Sequence, residues 1–177
     1  MRNVLRPLAG LVLALALLPS GAAAQGLPGG ATSLNETHGD WTVACTTHED
    51  IARCALTQTQ VNGQDGQRVL AVQLTASEDG KAVNGVLVLP VGLRLDSGVR
   101  IALDEGAPRE PLRFSTCLPA GCLVPLAFDA ATVTAFRAGT ALSVTVIAND
   151  SGQEAVFSIS LSGFTSALNR IAELNGT

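Results

Sequence analysis

From Gly39 onward the chain is a succession of short runs in which apolar residues recur at every second position, with Asn62-Gly63, Asp65-Gly66, Asp79-Gly80 and Ser97-Gly98 between them. Alternation of period two puts successive side chains on opposite faces of a strand, and Asn-Gly or Asp-Gly pairs supply the backbone geometry of tight hairpins. Trp41, Val43 and Cys45 share one face of the first run, and Cys54 and Leu56 share one face of the next, so a hairpin brings both cysteines to the same side. Leu70, Val72 and Leu74 alternate with Gln73 and Thr75, which predicts a strand with one wet face. Residues 86–91 are apolar on both faces and suit a central strand, with Pro90 at its end or at a bulge because proline cannot donate to the ladder, and with a bend at Gly92. Further strands are expected at 99–103, 112–117, 122–128, 142–148 and 155–161.

Helical spacing is confined to the end of the chain. There Leu168, Ile171, Ala172 and Leu174 form an apolar stripe that Ser162 or Thr165 would cap. The segment Ala130–Ala138 is open between a helical turn, which its alanines permit, and a strand, which Val133, Thr134 and Phe136 suit. Trp41, Phe114, Phe128, Phe157 and Phe164 are assigned to the interior. The pattern predicts an all-β protein: a single antiparallel β-sandwich-like domain over residues 39–174, with a short C-terminal helix and two local disulfides.

Four cysteines, in two tight pairs, lie downstream of an N-terminus with the three parts of a secretory signal. Arg2 and Arg6 form the basic start, residues 8–18 the apolar run, and Ala22, Ala23 and Ala24 the small residues before a cleavage point after Ala24. The apolar run is shorter than the roughly 20 residues of a spanning helix, so stable membrane insertion is not expected. A signal peptide at 1–24 and a flexible lead-in at 25–38 therefore precede the folded domain. The destination is the periplasm or the medium, an oxidising space in which an even count of closely spaced cysteines forms structural disulfides. Cys45 and Cys54 face each other on a hairpin, and Pro119 and Gly121 supply the turn that brings Cys117 to Cys122, so local pairing is expected for both. Zinc is the competing reading. The four residues between Cys117 and Cys122 fit its spacing and the eight between Cys45 and Cys54 do not.

Removing Arg2 and Arg6 with the leader leaves nine basic against fifteen acidic residues, a net charge of minus six. Such a chain is a poor candidate for nonspecific binding to nucleic acid or anionic lipid. With no tyrosine and one tryptophan, it also lacks platforms for stacking bases or sugar rings. About 150 mature residues make one domain with a real core, which disulfides reinforce and need not replace.

No constellation of residues stands out as catalytic. His38 and His48 fall in polar segments; His48 beside Glu49 and Asp50 allows at most a weak surface metal contact. No serine sits in a G-x-S-x-G context and neither histidine has an evident orienting partner. Asp96, Asp104 and Glu105 sit beside turn signals, where carboxylates commonly bond the local backbone. Neither a metal nor a cofactor is expected, and the chain reads as a non-enzyme.

One ordered set of fragments is more specific. W-T-V-A-C at 41–45, a second cysteine at 54, L-V-L-P-V-G at 87–92, S-G-V-R-I at 97–101, C-L-P-A-G-C at 117–122 and L-S-G-F at 161–164 together resemble the invasion-associated locus B family over nearly the whole mature chain. The resemblance implies an exported bacterial protein with a β-rich fold; the founding example of the family is linked to invasion of red blood cells. It supplies no catalytic residues to carry over. The function expected is that of a non-enzymatic envelope or secreted interaction protein, aiding host-cell invasion or envelope upkeep, with an unknown protein partner in the envelope or on a host surface. A β-sandwich that binds a small ligand or carbohydrate is the alternative.

Overall fold

The computed structural model describes residues 26–49, 51–64, 66–77 and 80–175. Among these the strands are β1 (Ser33–His38), β2 (Trp41–His48), β3 (Ile51–Val61), β4 (Arg68–Ala76), β5 (Val83–Leu89), β6 (Arg100–Leu103), β7 (Thr116–Leu118), β8 (Gly121–Phe128), β9 (Ala141–Ile147) and β10 (Glu154–Ser160). The helices are α1 (Ala130–Ala138) and α2 (Phe164–Asn175). All pairing is antiparallel. One sheet runs β1-β2-β3-β4-β5-β8-β7 and the other β10-β9-β6.

Register explains which face of the large sheet is apolar. Val43 lies opposite Leu56, Leu56 opposite Leu74, Leu74 opposite Gly85 and Gly85 opposite Leu126, so one row of side chains crosses five strands on the inner side. The next row runs Gln58, Val72, Leu87, Val124. These residues form one core with Ile101 from β6, Leu142, Val144 and Val146 from β9, Ile159 from β10, and both helices. At ~25 cal/mol per Å² of apolar surface, this shared interior is the main stabilising term. Pro125 sits in β8 beyond the residues that β7 pairs, where one flank of the strand is open.

Helix α2 buries Phe164, Ala167, Leu168, Ile171 and Leu174, a stripe at helical spacing against β1 to β4. It opens after Gly163, so neither Ser162 nor Thr165 occupies the cap position, and Ala172 lies on the exposed side of the stripe. Gly163 is required there: with φ of 85°, an added Cβ would come within 1.9 Å of the His38 carbonyl oxygen. The β1–β2 turn thus rests directly on the entrance to α2. Helix α1 resolves the ambiguous segment. Asp129 Oδ1 accepts the Thr132 N–H at 2.9 Å, and Val133 and Phe136 turn inward. An edge-to-face chain of rings, Trp41–Phe164–Phe136–Phe128, ties β2, α2, α1 and β8 together.

Four expectations need correction. Residues 33–38, expected within a flexible lead-in, form β1, because Leu34, Glu36 and His38 alternate inward and the backbone completes the edge of β2. The strand expected at 112–117 shrinks to an isolated bridge between Val99 and Leu112 and the short β7. Phe114 and Phe157 pack against the core only half-buried, while Phe136, left open in the sequence, is fully inside. The stripe of α2 uses Ala167 in place of Ala172, since position 167 lies one turn from Phe164 and Ile171. The leader and its cleavage point lie outside the described residues.

Candidate functional site

The four cysteines form two bridges, Cys45–Cys54 and Cys117–Cys122. In each the partners stand directly opposite on neighbouring antiparallel strands. They differ in surroundings: Cys45 and Cys122 are buried, Cys54 is half-buried and Cys117 is exposed.

Close to the second bridge the surface opens into a groove of about 660 Å³, lined by residues 95–98 and 111–116. Its first wall begins where β5 ends. Gly92, at φ of 87°, turns the chain; Leu93 then bridges to Ala148, and the Arg94 N–H bonds the Ile147 carbonyl at 2.8 Å. A short 3-10 turn, Leu95–Ser97, follows. Its end is fixed by Gly98, where a Cβ would stand 2.7 Å from the Leu112 carbonyl oxygen. That close approach lets Val99 and Leu112 exchange two backbone hydrogen bonds at 2.8 Å and sets the spacing of the walls. The second wall runs from Pro111 to Thr116 and continues into β7, which the Cys117–Cys122 bridge fastens to β8.

The groove is of mixed character. Leu95 is 46% exposed and Phe114 half-buried, while Asp96, Ser97, Arg113, Ser115 and Thr116 contribute polar groups. A second hollow, of about 400 Å³, adjoins it through Ser97, Gly98 and Pro111 and includes Arg100, which is ion-paired to Glu154. Val91, 63% exposed, lies on the approach from β5. By contrast, the space enclosed by Trp41, Phe136, Phe164 and their neighbours is only about 10 Å³, too small for a ligand.

Of the described titratable residues singled out in the sequence, Asp96 alone lines this groove. Asp104, at φ of 50°, accepts the N–H groups of Thr140 and Ala141 at 3.0 and 2.9 Å and so anchors the start of β9. His38 belongs to a cluster between β1 and α2. There Arg170 holds Glu36 through two hydrogen bonds, at 2.7 and 2.9 Å, and His38 Nε2 lies 3.5 Å from the same carboxylate. The Arg170 guanidinium, with His38 adding to it, keeps the Glu36 carboxyl below the usual carboxylate range; Glu36 in turn raises the Arg170 guanidinium. Among the described residues, no group of three or more His, Cys, Asp or Glu side chains is arranged to hold a metal ion, and no helix is long and apolar enough to cross a membrane.

The groove itself was not foreseen. Its walls are irregular backbone, and only Gly98, inside S-G-V-R-I, carried a signal: a glycine before a β-branched residue where two segments meet closely.

Residues 41–172 match the sequence model of the invasion associated locus B (IalB) protein family. The chain belongs to the invasion-associated locus B family. An invasion protein B homolog of Brucella abortus is 46% identical over 159 residues, covering 90% of this chain and 91% of the relative. Invasion protein B of Bartonella bacilliformis is 35% identical over 151 residues, covering 84% and 80%. The crystal structure of invasion associated protein b from Bartonella henselae is similar with a TM-score of 0.75 and 35% identity, over 81% of this chain and 98% of that one. The resemblance carried by the six sequence fragments therefore holds, and the β-rich invasion-associated locus B fold is the one described above.

Proposed function

We propose that this chain is an exported, non-enzymatic interaction protein of the bacterial envelope, retained in the periplasm or secreted. In this reading it receives a segment of a protein partner in the groove between residues 95–98 and 111–116, and serves host-cell invasion or envelope upkeep. The observation that carries the reading is the groove's combination of fixed walls, apolar Leu95 and Phe114, and polar Asp96 and Arg113 in the same lining. Apolar anchors within a polar rim are what a partner side chain needs to be buried without leaving charges unpaired. Export is supported by the leader-like N-terminus and by two disulfides, which persist in oxidising compartments. Relatives named invasion proteins support the invasion role.

The alternative, a small-ligand or carbohydrate protein, is favoured by one observation: the groove's volume falls within the range of ligand sites. The two separate by experiment. Affinity capture from envelope extracts with the mature protein is expected to retain a protein that the Leu95→Glu and Phe114→Ala variants release. Native mass spectrometry of the freshly isolated protein reports a non-covalent small ligand as added mass. Added mass together with no variant-sensitive protein would replace the partner reading with the ligand one.

A further inference from the structure

The outward face of the seven-stranded sheet has no described element packed on it. Every outward side chain of β1 to β5, β7 and β8 is exposed or half-buried and none is buried, whereas the inward face lies under the second sheet and both helices. A net-negative chain places almost no charge there. At the described outward positions of β2 to β5 and β8 there is no Asp, Glu or Lys, and the arginines are Arg53 and, opposite Val61 at the bulge of β4, Arg68. The polar groups that remain are mostly threonines, and two have already used their hydroxyl hydrogens. Thr57 Oγ1 donates to the Thr42 carbonyl at 3.4 Å and Thr75 Oγ1 to the Asn84 carbonyl at 3.2 Å. Dehydrating those hydroxyls strands no donor.

The face also has relief. On β2 to β4 it sinks into a hollow of about 420 Å³ floored by Ala44 and Ala55 and bordered by Thr57 and Gln73. On β5 and β8 it rises, with Val86 and Val88 beside Leu123 and Pro125. Hollow and ridge lie on opposite sides of β4, the middle strand of the sheet.

We propose that this face joins two copies of the chain, stacked about a two-fold axis that passes through Gln73 and crosses β4 obliquely. The hollow lies at the level of Ala44 and Ala55 and the ridge at the levels of Val86 and Val88, two to four residues further along the strands, so an oblique axis lays each ridge over the opposite hollow, the self-complementarity an isologous interface requires. Gln73, outward on β4, meets its own symmetry mate, and an amide both donates and accepts. Strand spacing and residue rise give the face an area on the order of 700 Å², close to the ~800 Å² per partner of a standard stable interface. Two copies that each carry excess negative charge approach through the surface with the least of it. The inference goes beyond the groove reading and shares none of the residues just named with it.

The test is sedimentation equilibrium on the mature protein with disulfides intact, over a wide concentration range. A dimer that dissociates on dilution is expected. Val86→Lys carries an ammonium group into each hollow, which Arg53 lines, and the like charges are expected to weaken association ~100-fold or more, with circular dichroism and melting of the monomer unchanged. Gln73→Cys, mildly oxidised, is expected to give a covalent dimer through residue 73, and this variant tests the geometry even if Val86→Lys fails to fold. Leu95→Glu, in the groove, is expected to leave the dimer intact. A monomer at every concentration, a dimer indifferent to Val86→Lys, absence of the cross-link in the oxidised Gln73→Cys variant, or a dimer abolished by Leu95→Glu would each overturn the proposal.

Discussion

Gln58, a buried polar side chain on the inner face of the large sheet, turns its amide to the outer edge of β10, the end strand of the small one, and pairs with it as a neighbouring strand would. Nε2 donates to the Ser160 carbonyl at 3.0 Å, and Oε1 accepts the Ser160 N–H at 3.1 Å. Trp41 Nε1 adds a second donor to that carbonyl at 2.8 Å, and Gln60 bonds the Ser158 carbonyl. Gln58→Leu leaves the partly buried Ser160 N–H without its partner. A loss of about 1–3 kcal/mol in denaturant unfolding is expected, with faster hydrogen exchange at the Ser160 amide as its specific mark. Glu36 acts through charge. Its carboxyl titrates lower in the folded chain than in the unfolded one, so its contribution is present above the ordinary carboxylate value and is lost as pH falls through the folded value. Glu36→Gln is therefore expected to be less stable than the parent at neutral pH and equal to it in acid. Melting curves across pH check this, and because the pair is partly exposed, added salt is expected to narrow the difference.

Among the elements, α2 carries the least replaceable packing. Ile171 is fully buried in the stripe that closes the core over β1 to β4, so Ile171→Ala is expected to cost about 2–5 kcal/mol in equilibrium unfolding. The disulfides contribute less. Each closes a short loop, worth about 2–3 kcal/mol in the chain-entropy model, and the Cys117→Ser/Cys122→Ser double variant is expected to fold with a lower melting temperature. These elements were legible to different degrees. The large sheet was readable because Trp41, Val43 and Cys45 on β2 and Leu70, Val72 and Leu74 on β4 recur at every second position, and α2 because its stripe repeats at helical spacing. β1 was not, since Ser33-Leu34-Asn35-Glu36-Thr37-His38 offers a single apolar residue; its inward side is filled by an ion pair with Arg170, which no local pattern records. The groove walls were hidden for a related reason. Long-range backbone contacts such as Val99 to Leu112 set their shape, and only Gly98 hinted at them.

For the molecule as a whole, cell fractionation is expected to find the chain in the periplasm or medium with its N-terminus at Gln25, as N-terminal sequencing would read. Full-length chain in a carbonate-resistant membrane pellet would instead make residues 8–18 an anchor. The position of the bridges bears on how such a molecule answers a pull. Cys45–Cys54 spans nine residues of sequence and Cys117–Cys122 five, and each links strands that are already neighbours. Stretched between its termini, the chain would surrender all but about 50 Å of its contour length, at ~3.4 Å per residue. The sulfur bonds are therefore no tether against tension. Under such a pull the load falls first on the terminal elements, where Arg170 of α2 holds Glu36 of β1 and the stripe of α2 packs over β1 to β4.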